Sequence, residues 1–124
     1  MGPQNRKWVC WNLVSFPFML KPNDEAALLA LAPFAVENKS YLRASTLEAN
    51  RGYWFFVDEQ MTFTLVPEAD APDAQPTPDA WSLVGAASET PSWLEQVMRL
   101  FQWDAQRSYM PAAKPVKGQG YWVK

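Results

Sequence analysis

Histidine is absent from the sequence, and cysteine occurs once, as Cys10. Without histidine there is no Ser-His or Cys-His nucleophile pair, and the most frequent general base and metal ligand are missing. A lone cysteine excludes an intrachain disulfide and a cysteine-based zinc site. Cys10 stands between Val9 and Trp11 in an apolar run and reads as a small buried hydrophobe. No metal and no cofactor are expected. Basic runs are equally scarce, none longer than Arg6-Lys7. With 11 Lys and Arg against 13 Asp and Glu, the net charge of -2 supplies no field to hold nucleic acid. No apolar stretch approaches the ~18 residues that cross a bilayer, so no membrane contact is expected. The polar opening, Met1 to Lys7, is followed by no apolar signal core. The chain as written reads as cytoplasmic, and as extracellular if it is a fragment of a larger exported protein.

What the chain has is aromatic residues. Its 7 Trp, 7 Phe and 4 Tyr sit in a composition that is 48% hydrophobic and 19% charged, which excludes global disorder. At 124 residues it is long enough for one domain and short for two.

The aromatics recur in order. Trp11-Asn12-Leu13-Val14-Ser15 matches Trp81-Ser82-Leu83-Val84-Gly85, and Gly52-Tyr53-Trp54 matches Gly120-Tyr121-Trp122. Tyr41 precedes Gly52 by 11 positions and Tyr109 precedes Gly120 by 11, while Phe34 and Phe101 precede those tyrosines by 7 and 8. Four landmarks at near-equal spacing point to an internal repeat, with units at 8–66 and 81–124 and a linker at 67–80.

Each unit opens on a short strand, Val9 to Phe16 or Trp81 to Ala86, rich in aromatic and β-branched residues. A helix is expected next. In the first unit Asn23 is the cap, Asp24 and Glu25 occupy the first turn, and Ala26 to Ala32 runs to the breaker Pro33. Its apolar composition predicts the more buried helix of the two. In the second unit, Ser92 and Glu95 fit a capping box after Pro91, and Trp93, Leu94, Val97, Leu100 and Phe101 recur at helical spacing. Hairpins follow at Phe34–Glu37 with Ser40–Arg43, and at Phe101–Asp104 with Ser108–Met110. Their turns fall at Asn38-Lys39 and Ala105–Arg107.

The Gly-Tyr-Trp strands close the units, each after a tight turn. The turns read Glu48-Ala49-Asn50-Arg51-Gly52 and Val116-Lys117-Gly118-Gln119-Gly120. Asn50 aligns with Gly118 and Gly52 with Gly120, residue types that tolerate a left-handed backbone or close approach. Met61 to Val66 alternates as a further strand, with Phe63 and Leu65 on one face and Thr62 and Thr64 on the other. Pro67 to Ala80, with four prolines and Glu68, Asp70, Asp73 and Asp79, reads as a solvated linker. Tyr53, Phe55 and Val57 alternate with Trp54 and Phe56, so this strand needs cover on both faces. We therefore expect one α+β domain over 1–124. In it two strand-helix-hairpin-strand units, related by a pseudo-two-fold axis, share one antiparallel-sheet core.

This pattern resembles modules of large bacterial surface and secreted proteins. Those modules carry a Gly-Trp-Asn-Leu-Ile strand, a Trp-x-Tyr segment and a Leu-x-x-Gly-x-Gly-Tyr-Trp strand. Cys10 and Ala80 stand where they have glycine. The resemblance implies an accessory or adhesive module without catalytic residues.

Trp8, Trp103, Tyr109 and Trp122 are the candidate ligand-binding residues, since sugar faces stack on such rings, and the competing reading is that repeated aromatics form core. Trp8 and Trp103 have no clear counterpart in the other unit. The reading that follows is a non-catalytic module whose partner is a protein or a glycan. A cofactor-free hydrolase using two of Asp58, Glu59, Glu95 and Asp104 is the alternative. Neither Ser15 nor Ser88 lies in a nucleophile elbow, and Lys114, Lys117 and Lys124 read as solvated charges. A structural homodimer, held by the exposed face of one Gly-Tyr-Trp strand, is the third reading, and the final strand is expected at a sheet edge, a natural pairing site.

Overall fold

The computed structural model describes residues 4–37, 40–65, 67–76, 81–86, 90–104 and 108–124, and at 4–10, 37 and 58–63 the backbone alone. The first strand, β1 (Gln4–Val14), runs antiparallel to β5 (Tyr53–Leu65) in a long ribbon with a bulge between Trp8 and Cys10. Met61–Leu65 is thus the continuation of the Gly-Tyr-Trp strand and no separate element. The hairpin of β3 (Phe34–Glu37) and β4 (Ser40–Arg43) completes a sheet ordered β1-β5-β3-β4. A second sheet holds β7 (Ser82–Gly85), β10 (Gly120–Val123), β8 (Leu100–Asp104) and β9 (Ser108–Pro111), in that order. A small third sheet pairs β2 (Phe18–Leu20) with β6 (Pro67–Asp70).

The expected α+β fold is therefore corrected: the protein is mostly β, with three antiparallel sheets and one α-helix among the described residues. That helix, α1, spans Pro22–Leu29, with Lys21 rather than Asn23 at the N-cap. Proline suits the first helical position because the donor it lacks is unpaired there anyway. The helix ends where Leu31 and Ala32 donate to Leu28 and Leu29 in tightened turns, Ala32 turns left-handed (φ 55°) and Pro33 follows. Only Leu28 of α1 is buried, so its apolar composition does not make it a buried helix.

The second expected helix does not form. Leu94–Gln96 makes a single 3₁₀ turn after Pro91, and Leu100 and Phe101 belong to β8. The amides of Met98 and Arg99 both donate to the Lys124 carbonyl, at 2.7 and 3.0 Å. Pairing with the end of β10 thus takes the donors that a helix would need. The strand-helix-hairpin-strand unit fails at this point, and two separate sheets replace the single shared one. The final strand β10 lies between β7 and β8, so its expected edge position is corrected. The segment read as a linker begins as β6, and Asn50 Nδ2 donates to the Pro72 carbonyl at 2.6 Å. The turns at Asn38-Lys39 and Ala105–Arg107 lie outside the described residues, as do 77–80 at the linker's end.

Strand alternation sorts the side chains. Val14, Tyr53, Phe55, Val57 and Leu65 join Phe16, Phe18, Leu28 and Leu47 in a core on the outer face of the first sheet. Val84, Tyr121, Val123 and Trp93 form a smaller core outside the second. The opposite faces meet through Leu13, Trp54 and Leu83, flanked by Phe34, Val36, Trp103 and Trp122. At this junction Ser15 N–H donates to the Gly118 carbonyl (3.1 Å) and Gly85 N–H to the Asn50 carbonyl (2.8 Å). The bridges Val14–Gln119 and Arg51–Val84 flank them. The buried Ser15 hydroxyl donates to Gln119 O at 2.7 Å, satisfying its polar group.

Candidate functional site

The turns before β5 and β10 set the junction. Asn50 (φ 59°) and Gly118 (φ 90°) are both left-handed there. Gly52 and Gly120 serve close approach. A Cβ on Gly52 would stand 2.6 Å from Leu83 Cγ, and one on Gly120 2.9 Å from Leu13 Cγ. With both side chains missing, each leucine lies on the other sheet's strand start, and the inner faces come together.

Those inner faces carry the aromatics. Trp54 is opposite Leu13 in β1 and Phe34 in β3, and Trp122 is opposite Leu83 in β7 and Phe101 in β8. Val36 pairs with Tyr41 in one hairpin, and Trp103 with Tyr109 in the other. Rings from both sheets, Trp11, Phe34, Tyr41, Trp54, Trp103 and Tyr109, enclose a cavity of about 420 Å³. Ligand pockets usually measure about 300–1,000 Å³. Trp103 packs edge-on to Trp54 and against Tyr109, each at 5.1 Å between centroids, and Trp11 stands 6.1 Å from Trp54, also edge-on. Such tilted arrangements suit the ring quadrupoles. The Arg43 guanidinium lies 4.4 Å from the centre of Phe34.

The hydrogen-bonding groups here run in one direction. Trp103 Nε1 donates to the Trp11 carbonyl, and Trp122 Nε1 to the Tyr109 hydroxyl, both at 3.2 Å. Burial raises the Tyr109 pKa above its ordinary 10.0, the indole donation from Trp122 opposes this, and the neighbouring Tyr41 hydroxyl adds to the rise. Trp54, 7% exposed, keeps an Nε1–H without a partner among the described residues. Tyr41 and Tyr109, 55% and 45% exposed on strands β4 and β9, form the rim. Among the described residues, the cavity lining contains no carboxylate.

A larger, more polar cleft of about 1,200 Å³ also has Tyr41 and Tyr109 in its lining, together with Trp81, Phe101 and Trp122. Val36 lines it at the hairpin position that Trp103 holds in the other sheet. Glu48 is the one carboxylate among its described lining residues, and it is 3.1 Å from Arg51.

Of the four ring residues singled out from sequence, Trp103 and Tyr109 line the aromatic cavity, and Trp122 lines the larger cleft. Trp8 is opposite Met61 in β1, and its side chain lies outside the described residues. Trp11, Phe34, Tyr41 and Trp54 were missed: as recurring aromatics they were assigned to the core, although Tyr109 and Trp122, the counterparts of Tyr41 and Trp54, were singled out. The signal for them was alternation: Trp11 with Leu13, and Trp54 with Phe56, fall on the face opposite Val14, Tyr53 and Phe55. The acids Asp58 and Glu59 have side chains outside the described residues, Glu95 is exposed in the 3₁₀ turn, and Asp104 is half-buried in β8. No described helix is long and apolar enough to cross a membrane. Compared with known proteins, the chain matches no family model, no curated protein and no solved structure.

Proposed function

We propose that this protein is a non-catalytic interaction module, built from two copies of a four-stranded unit, that captures a partner in the aromatic cavity where the copies meet. The observation that carries the reading is that cavity: six rings drawn from both sheets, open at an aromatic rim, with a buried indole N–H left unpartnered among the described residues. An aromatic patch exposed to water is a standing incentive for association. The duplication is supported by matched register, since the pairs Val14–Tyr53, Leu13–Trp54 and Phe34–Trp54 correspond one for one to Val84–Tyr121, Leu83–Trp122 and Phe101–Trp122. The exchanged junction bonds of Ser15 and Gly85 support it further. Carboxylate-dependent hydrolysis needs two acids facing each other across a gap, whereas this cavity offers ring faces and donors, which suit binding.

Titration with small ring fragments, followed through the indole N–H resonances, tests the reading. Trp54, Trp11 and Trp103 should shift, and Trp93, in the outer core of the second sheet, should not. Shifts spread evenly over the tryptophans, or confined to the far side of the molecule, would remove the cavity from consideration.

A further inference from the structure

We infer that the larger cleft is a second binding site and takes a short stretch of acidic glycan, linked sugar rings that carry carboxylates. The inference rests on the interaction-module reading. The two clefts correspond residue by residue. For each of the six residues lining the aromatic cavity, the residue at the matching sequence and register position lines the larger cleft: Trp81, Phe101, Tyr109, Trp122, Tyr41 and Val36. Ring contacts correspond as well, since Trp81 stands 5.8 Å from Phe101 and Trp11 6.4 Å from Phe34, both tilted. Two exchanges set the clefts apart. Val36 takes the place of Trp103, whose indole packs on Trp54, and the larger cleft has about 1,200 Å³ where the smaller has about 420 Å³. Lys124 takes the place of Phe56. Phe56 packs on Trp11 at 5.1 Å, whereas Lys124 Nζ lies 6.0 Å from the centre of the Trp81 ring.

These exchanges select the ligand. The volume exceeds the ~1,000 Å³ at the upper end for small-molecule pockets, so the cleft has room for several linked rings. Glu48, the one carboxylate among its described lining residues, is balanced by Arg51 at 3.1 Å, and Arg51 Nη2 donates to the Val36 carbonyl at 3.0 Å. Lys124 forms no ion pair among the described residues. It is therefore the uncompensated side-chain charge of the described lining, and a carboxylate is its complement. Trp81, 42% exposed, presents an indole on which the C–H side of a sugar ring can pack. The exposed side chains of Ser40 and Gln75 both donate and accept, as a sugar hydroxyl requires. A neutral glycan would leave Lys124 without a partner, and a single aromatic acid would leave most of the cleft to water.

Calorimetric titration with trigalacturonate tests this, beside its methyl ester, which keeps the sugars and removes the charge. The indole N–H resonances report where each binds. The acid trimer should bind, shift Trp81 and Trp122, leave Trp93 unmoved, and lose affinity as salt rises. The ester should bind about two- to fivefold more weakly. Lys124→Gln, at an exposed position, should weaken the acid trimer by a similar factor. Val36→Trp, which gives this cleft the residue that the other sheet holds, should abolish binding of the trimer. Equal affinity for trimer and ester, or trimer affinity unchanged in Lys124→Gln or Val36→Trp, overturns the inference, as do shifts confined to Trp11, Trp54 and Trp103. Failure of the trimer while the ring fragments still shift the aromatic cavity overturns it and leaves the interaction module standing. Failure of trimer and fragments alike removes both.

Discussion

Tyr53 and Tyr121 show how single residues brace this fold. Each buries its ring on an outer face, and each hydroxyl accepts the amide of the residue five positions earlier, Glu48 N–H at 2.7 Å and Val116 N–H at 2.6 Å. Burial raises both pKa values above the ordinary 10.0, with the amide donation pulling the other way. The unfolded chain releases these protons near pH 10, and the folded chain holds them to higher pH. The contribution is therefore fully present below pH 10 and is lost as pH rises through the raised folded values. Urea midpoints should fall with pH above about 10, and the double variant Tyr53→Phe with Tyr121→Phe should flatten that fall. It should also lower stability at neutral pH, by about 1 kcal/mol per lost bond. An alkaline fall of unchanged steepness in the double variant would assign the effect to other groups. The left-handed backbone at Asn50 and Gly118 was readable from residue type, because few residues accept positive φ. The same conformation at Ala32 and Ser108 was not, since context imposes it there: the end of α1 and the opening of β9.

Among the elements, the strands were the legible part. Alternation and aromatic content located β1, β7, both hairpins and the Gly-Tyr-Trp strands, because a strand buried on one or two faces has few other ways to be written. The region from Ser92 to Phe101 was misread for a physical reason. Trp93, Leu94, Val97, Leu100 and Phe101 satisfy helical spacing, but a turn followed by a strand also brings Trp93, Leu94, Val97 and Leu100 to one core, and the Lys124 carbonyl takes the Met98 and Arg99 amides. Tertiary pairing overrode local pattern. Packing between elements is tightest where β7 ends. A Cβ on Gly85 would collide with the Cβ and Oγ of Ser15 and stand 3.3 Å from the Asn50 carbonyl carbon. Gly85→Ala should therefore destabilise the protein by about 2–3 kcal/mol in urea unfolding. Ser15→Gly added to it should cost less than the sum of the two single changes, because it removes the opposing atoms. Strict additivity would show that the two positions do not touch.

For the molecule as a whole, what the sequence withheld was which faces meet. It places Trp11, Trp54 and Trp103 in strands, but only the junction through Leu13, Leu83, Gly52 and Gly120 turns those strands inward on a common cavity. The difference between the two clefts also arises there, since Trp103 lines the smaller and Val36 the larger. On this account the binding site exists only while the sheets are locked together, and the lock is the pair of exchanged bonds, Ser15 N–H to Gly118 O and Gly85 N–H to Asn50 O. Native-state amide exchange reads that lock directly. Ser15 and Gly85 should exchange with one common opening free energy, equal to that of global unfolding. If either amide exchanges freely while the other stays protected, the sheets open independently, and a cavity formed by their joining cannot be the functional site.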